Sequence, residues 1–423
     1  MMGKPQRNEG RLFYTGFSVE DRVPADHHLR RVARAIDFGF VRARVARLYG
    51  VNGHESVDPT LVLKLLFLAF YEKVRSEREL MRQLPLRLDW LWFCGLDLDS
   101  DIPDHSVLSK ARRRWGLDVF EQIFLHVLEQ CVRAGLVEGT TAYADSTVLK
   151  ADASVESRVP RALWNQLESG LQADEGRGPP RTPPSPPDVQ ASELPPREAP
   201  GKKARKNRFN IRSVSRTDPD AATTRRRGRG VVLGYKDHCL IDGRRGVVTV
   251  TVATAADYDD GVLLPTLLEK YEEYLGRRAG RVVGDSAYGT LNNICWALVR
   301  GTVPYLKPRP GNRGAGRGTK GSLPAGDRAT ALRLLKRRLH VAEGRFAEAH
   351  VRHDHRRCRW RRRWRVQIQC YLVAAVQNIK KLVRWTSRYA GQASAALLRE
   401  TLGADQLARD LAGDAAIVAR PIG

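Results

Sequence analysis

Two short stretches of the chain have the construction of one acidic site. In Arg281–Thr290, RVVGDSAYGT, the β-branched pair Val282-Val283 fits a buried strand, and Gly284 leads to Asp285 at its end. In Thr140–Lys150, TTAYADSTVLK, Tyr143 and Ala144 lead into Asp145, again followed by Ser. A carboxylate placed there sits on a stiff element yet can face solvent, as a metal ligand must. A lone Asp at a strand end would more simply cap the helix that follows, here near Ile294–Val299. The repetition of the pattern favours the ligand. Two carboxylates on neighbouring strand ends, with a third on a late helix, would hold two divalent cations ~3.5–4 Å apart, the geometry of in-line phosphodiester chemistry. Glu343 and Glu348 are the candidates for the third position, and spacing alone leaves them equal.

The elements that must position these groups fall in a definite order. Residues 1–24 read as an arm without periodicity, and 25–137 as a helical domain. Asp58-Pro59 is a strong helix start, with Asp as cap and Pro at the first helical position, ahead of the apolar run Leu61–Phe70. Ser76 and Glu79 have capping-box spacing in SERELMRQL. Asp97, Asp99 and Asp101 alternate as in a calcium loop, but the glycine and distal glutamate of such a loop are missing. His105-Ser106 starts a basic helix, VLSKARRRWG, and Asp118–Ala134 forms a further one. A core spans 138–385 and is interrupted over 155–230 by a segment expected to be disordered. Nine of the 22 prolines lie between Pro179 and Pro200. Val231 onward reads as two strands joined by an Asp242-Gly243 turn. Helix Val262–Leu275, the Asp285 strand and its helix, strand Val303–Leu306 and a long helix from Ala329 follow. Another helix covers VQIQCYLVAAVQNIKKLV, and 386–423 is a tail.

The composition names the partner class. Lys and Arg number 72 against 47 Asp and Glu, a formal charge of +25. Such a protein is suited to a polyanion, because neutralising phosphates releases counterions. A membrane surface is the rival, but the longest apolar run is broken by Lys64 and falls short of the ~20 residues that span a bilayer. The N-terminal residues carry no apolar signal-peptide core. The six cysteines include no CxxC pair, which excludes zinc-finger spacing and points to a reduced, cytoplasmic protein. Lys110, Arg112 and Arg113 on the basic helix are candidates for DNA phosphate contact. So are Arg361, Arg362 and Arg363 within the Arg-rich stretch 352–365. Trp360 and Trp364 lie in that stretch and suit either base stacking or the core.

Taken together these motifs resemble the bacterial insertion-sequence transposases of the acidic-triad (DDE) type. The resemblance rests on DPTLVLKLLFLAFYEKVRSERELMRQL and PDHSVLSKARRRWG in the helical part. In the core it rests on YADSTVLKADAS, GYKDHCLID, VVGDSAYG, HVAEGRFAEAH and AAVQNIKKLV. It implies an α/β core with a ribonuclease-H-like mixed sheet flanked by helices, preceded by an all-helical N-terminal domain for DNA binding or assembly. It implies Asp145, Asp285 and Glu343 as the triad, Glu343 because it begins EGRFAEA. The triad would bind Mg²⁺, with Mn²⁺ as a substitute. Arg345, beside the triad Glu, and His350, which stands where relatives carry a phosphate-binding Lys or Arg, would be further DNA contacts. The partners implied are double-stranded DNA, as terminal inverted repeats and target, and a second copy in a homodimer or higher oligomer. The setting implied is the bacterial nucleoid, with no membrane. Two other readings share parts of the pattern: a DNA-binding protein derived from such an enzyme but without its catalysis, and a ribonuclease-H-like nuclease. The nuclease would not need the helical domain.

Overall fold

The computed structural model describes residues 2–3, 18–50, 54–166, 208–226, 230–307 and 328–387. The helical region comprises α1 (Val19–Arg22), α2 (His28–Ala35), α3 (Phe40–Val45), α4 (Pro59–Tyr71), α5 (Glu77–Gln83), α6 (Leu88–Cys94) and α7 (Ser106–Arg133). Helix α4 is its centre. Asp58 accepts the Thr60 amide and the Arg42 guanidinium, and Pro59 takes the first turn, where no backbone donor is missed. Leu61 to Phe70 are then buried except for Lys64, so the helix is apolar nearly all round and enclosed by its neighbours. Ser76 caps α5 through the Glu79 amide. The arm expected over 1–24 ends in order, since α1 buries Val19 and Val23 follows it into the core. The basic helix and the one after it are the two halves of α7, as expected: Gly116, at φ 68° and ψ -177°, breaks the helical backbone between them, a conformation that favours a residue without Cβ.

The core is a mixed sheet. Its strands are β1 (Thr141–Lys150), β4 (Ala222–Arg226), β5 (Gly230–Asp242), β6 (Val248–Ala255), β7 (Arg281–Gly284) and β8 (Val303–Leu306); β2 (Arg158–Pro160) and β3 (Ser213–Ser215) pair apart from it. Strand β5 pairs antiparallel with both β1 and β6, and β1, β7 and β8 run parallel. The order β6-β5-β1-β7-β8 is that of a ribonuclease-H-like sheet, the expected fold class. Helices α8 (Asp260–Leu275), α9 (Leu291–Val299), α10 (Arg328–Arg338), α11 (Gly344–Arg352) and α12 (363–387) surround it. The turn after β5 is held by Asp242, whose carboxylate accepts the amides of Glu138, Gly139 and Arg244.

Helix α12 closes the sheet edge. Gln367 accepts from Ala253 and donates to Thr251, while Asn378 makes a reciprocal pair with Val248. These amides take backbone groups of β6 that would otherwise form an open edge. Part of the segment expected to be disordered, 155–166 and 208–226, is ordered. There β2 and β3 pair, and β4 pairs with β5. Residues 167–207, which hold the proline-rich stretch, lie outside the described residues, as does the tail from 388.

Candidate active site

Parallel pairing of β1 and β7 ends at Tyr143 opposite Val283. Asp145 stands two residues further along β1 and Asp285 directly after the end of β7, so the parallel pairing brings both acids to the same end of the two strands. Gly284 ends β7, and Asp285 turns outward with its Oδ1 accepting the Ala287 amide at 2.9 Å. The helix that follows is capped by Thr290, not by Asp285. Asp145 stays within β1, opposite Cys239 of β5, and its Oδ1 accepts the Ser146 amide at 2.8 Å.

Burial pushes the Asp145 carboxyl up to about 6, against the pull of Arg338, and the negative charges of Asp285 and Asp260 add to the rise. Arg338, at the end of α10, reaches Asp145 Oδ2 at 2.8 Å. A half-buried carboxylate beside two further acids calls for cationic charge, and among protein groups Arg338 supplies it. Hard carboxylate oxygens of this kind fit a divalent cation such as Mg²⁺ or Mn²⁺.

Glu343 lies on a π-helical turn, Leu339–Glu343, between α10 and α11. Ala342 of that turn is buried, and Glu343 itself faces solvent. Its carboxylate does not join those of Asp145 and Asp285 in one set of close ligand atoms. π-turns inside helices recur at functional sites, and this one separates the cation on Asp145 from the third acid. Glu348 faces a different environment. Its Oε1 is 2.5 Å from Lys380 Nζ, and although burial pushes its carboxyl up, His353 and Lys380 hold it below the usual range.

Among the described residues, the acidic and His/Cys set whose ligand atoms do converge is Asp237, His355 and Cys370, all buried. Asp237 Oδ2 accepts from Arg345 at 3.0 Å and from His355 at 2.9 Å, and Oδ1 accepts from Thr251 at 2.6 Å. That carboxylate is already matched by a guanidinium, so the cluster is a buried ion-pair network behind the acidic face.

The basic candidates separate by burial. Lys110, Arg361 and Arg362 are exposed and Arg113 is half-buried. Arg112, Arg345 and Arg363 are enclosed, a correction to their reading as phosphate contacts. Arg112 pairs with Glu77 and lies over the Trp360 ring, Arg345 holds Asp237, and Arg363 donates to the Ala253 carbonyl. His350 is half-buried, with Nε2 3.3 Å from Thr147 Oγ1. The Arg-rich stretch as a whole works inward. Arg359 donates to the carbonyls of Val74 and Ala69 and covers the Phe70 ring, and His353 bonds the Phe70 carbonyl, so this stretch joins the helical region to the sheet. Trp364 is buried in that joint and Trp360 half-buried.

Arg338, Asp260 and Tyr288 belong to the acidic face without having been singled out from the sequence. Asp260 begins α8 after the cap Asp259, and a tandem acid at a helix start looks like capping alone. No helix among the described residues is long and apolar enough to cross a membrane. Residues 17–114 match the family described as Transposase domain (DUF772), and residues 203–379 match the family described as Transposase DDE domain. The second match contains Asp285 and Glu343, while Asp145 precedes it. No curated protein and no solved structure matches the chain.

Proposed function

Because the chain belongs to the insertion-sequence DDE transposases, we propose that it binds the terminal inverted repeats of its own element and catalyses metal-dependent cleavage and strand transfer at their ends. Divalent metal ions and DNA are general requirements of the family. The observation that supports the chemistry is that Asp145 and Asp285 come to the same end of two neighbouring parallel strands. Asp145, Asp285 and Glu343 would hold Mg²⁺, with Mn²⁺ as a substitute. A divalent cation held there would supply activation of a water nucleophile and stabilisation of the leaving oxygen. The protein's own share is to fix the two aspartates on rigid strands, to keep Asp145 poised with Arg338, and to deliver Glu343 from the turn that follows Arg338. No Tyr or Ser nucleophile is required. The helical region serves DNA binding or assembly, and a homodimer or higher oligomer forms on the DNA, within the bacterial nucleoid.

The direct test uses the purified chain, Mg²⁺ and a short duplex carrying the element's end. Cleavage that exposes a 3′ hydroxyl, followed by joining to a target duplex, is the expected result. Nicking without joining would assign a plain nuclease. Binding without either would assign a non-catalytic DNA-binding protein.

DNA contact falls to the exposed cations of α7 and of the loop before α12. Lys110→Ala with Arg113→Ala should weaken binding to every sequence. The slope of log affinity against log salt should fall by roughly 0.9 for each phosphate that is no longer neutralised. Arg361→Ala with Arg362→Ala should act in the same direction but less, because these side chains also pair with Asp152 and Asp220. A salt slope unchanged in both double variants would remove these residues from the interface.

A further inference from the structure

We propose that Asp260 is a fourth carboxylate of the acidic centre, a positioning residue that shares Ser146 with Asp145 and strengthens the centre's hold on divalent cations. The inference rests on the reading of Asp145 and Asp285 as cation ligands. Ser146 is the bridge: its amide donates to Asp145 Oδ1 at 2.8 Å and its hydroxyl donates to Asp260 Oδ1 at 3.1 Å. One residue thereby fixes both carboxylates relative to each other.

The placement of Asp260 is built by close packing. A Cβ on Gly261 would come within 2.7 Å of the Ala287 carbonyl, so the start of α8 rests directly on the turn after Asp285. Asn293 Nδ2, buried, donates to both the Gly261 carbonyl at 2.7 Å and the Tyr288 carbonyl at 2.8 Å, tying the two segments together. A side chain at 261 would push Asp260 away from the sheet.

Two buried polar atoms around this acid have no hydrogen-bond partner. The Tyr288 hydroxyl is one; its side chain is enclosed, and the acids that act on it most strongly are Asp260, Asp145 and Asp285 in that order. His238 Nδ1 is the other, 3.5 Å from Asp260 Oδ1. On its other side the His238 ring meets Thr254 Oγ1, with Nε2 at 2.9 Å, so the imidazole is held between that hydroxyl and the Asp260 carboxylate. Only Lys236, with Nζ 3.0 Å from Asp260 Oδ1, brings a side-chain cation to Asp260 at ion-pair distance among the described residues. An acid with two neighbouring acids and partnerless buried polar atoms around it adds to a site that attracts positive charge, and Lys236 tempers it.

The test is Mn²⁺ binding to the full chain without DNA, measured by calorimetry, with thermal unfolding of each variant alongside. Asp260→Asn should weaken Mn²⁺ binding by about tenfold, an effect of roughly 1.4 kcal/mol. Lys236→Met should change it in the opposite direction, tightening binding several-fold, an outcome that damage to the fold would not produce. Asp145→Asn is the reference and should lose most binding. If Asp145→Asn loses Mn²⁺ while Asp260→Asn binds like the unmodified chain, the inference falls and the two-aspartate reading stands. Weakened binding in Lys236→Met as well as Asp260→Asn would make the pair a structural bond and overturn it too. If neither aspartate variant alters Mn²⁺ binding, the acidic-centre reading itself fails.

Discussion

Asp145→Asn, Asp285→Asn and Glu343→Gln are each expected to reduce end cleavage and strand transfer by about 10³-fold or more, the equivalent of about 4 kcal/mol of lost transition-state stabilisation. Each change keeps the shape and hydrogen-bonding capacity of the side chain and removes one negative charge. Affinity for the inverted repeat should persist, because it depends on cations such as Lys110 that lie elsewhere. Cleavage and joining should fall together, since the same carboxylates would serve both displacements. Asp145→Asn also leaves Arg338 without its partner at 2.8 Å, so its stability must be measured beside its activity.

Glu348→Gln is the internal control. Its carboxylate is occupied by Lys380, and it should keep most of the activity. A dead Glu348→Gln with an active Glu343→Gln would move the third ligand along α11 and make the π-turn irrelevant. Activity at the unmodified level in all four variants would refute the acidic mechanism. The assay is end cleavage and joining on a short repeat duplex with Mg²⁺, paired with a binding measurement for every variant.

What could be read from the sequence depended on how local its cause was. The start of α4 at Asp58-Pro59 and that of α5 at Ser76 are set by capping within one turn, and both stand where local chemistry puts them. Asp145 and Asp285 were recognisable because a strand-borne acid followed by Ser occurs twice. Their meeting at the same end of two neighbouring strands depends on parallel pairing across more than a hundred residues, which no local pattern encodes. The stretch 352–365 misled for the same reason. A dense run of arginines suggests phosphate, yet the acceptors that satisfy it are the carbonyls of Ala69 and Val74 and the acids Asp152 and Asp220, all distant in the chain. Arg345 illustrates the limit at a single residue. Two positions beyond Glu343 it looks like a hand for DNA, while β5 brings Asp237 to meet it inside the protein.

That buried pair carries the largest expected effect on stability. Asp237→Ala should lower the free energy of unfolding by about 3–5 kcal/mol, because it strands the Arg345 charge in the interior. Arg345 is fully enclosed, and its Nε and Nη2 already lack partners, so Asp237 carries the charge compensation it has. Burial alone would raise the Asp237 carboxyl, but Arg345, His355 and Thr251 hold it well below the usual range. Arg345→Met should cost less, since His355 and Thr251 still bond Asp237 and a methionine fills the space with apolar atoms. The double variant should be less destabilised than the sum of the two singles by at least about 1 kcal/mol, the signature of residues that touch. Denaturant midpoints on the four chains measure this. A cost below about 1 kcal/mol for Asp237→Ala would mean that water reaches Arg345 and that the pair is not buried as an ion pair. The pair also bears on catalysis. Arg345 is in the first turn of α11, directly after Glu343, so anchoring it to β5 sets how the third acid is presented to β1. A variant that still folds but loses this anchor should therefore keep DNA affinity and lose strand transfer, as Glu343→Gln does, without any change to a triad residue.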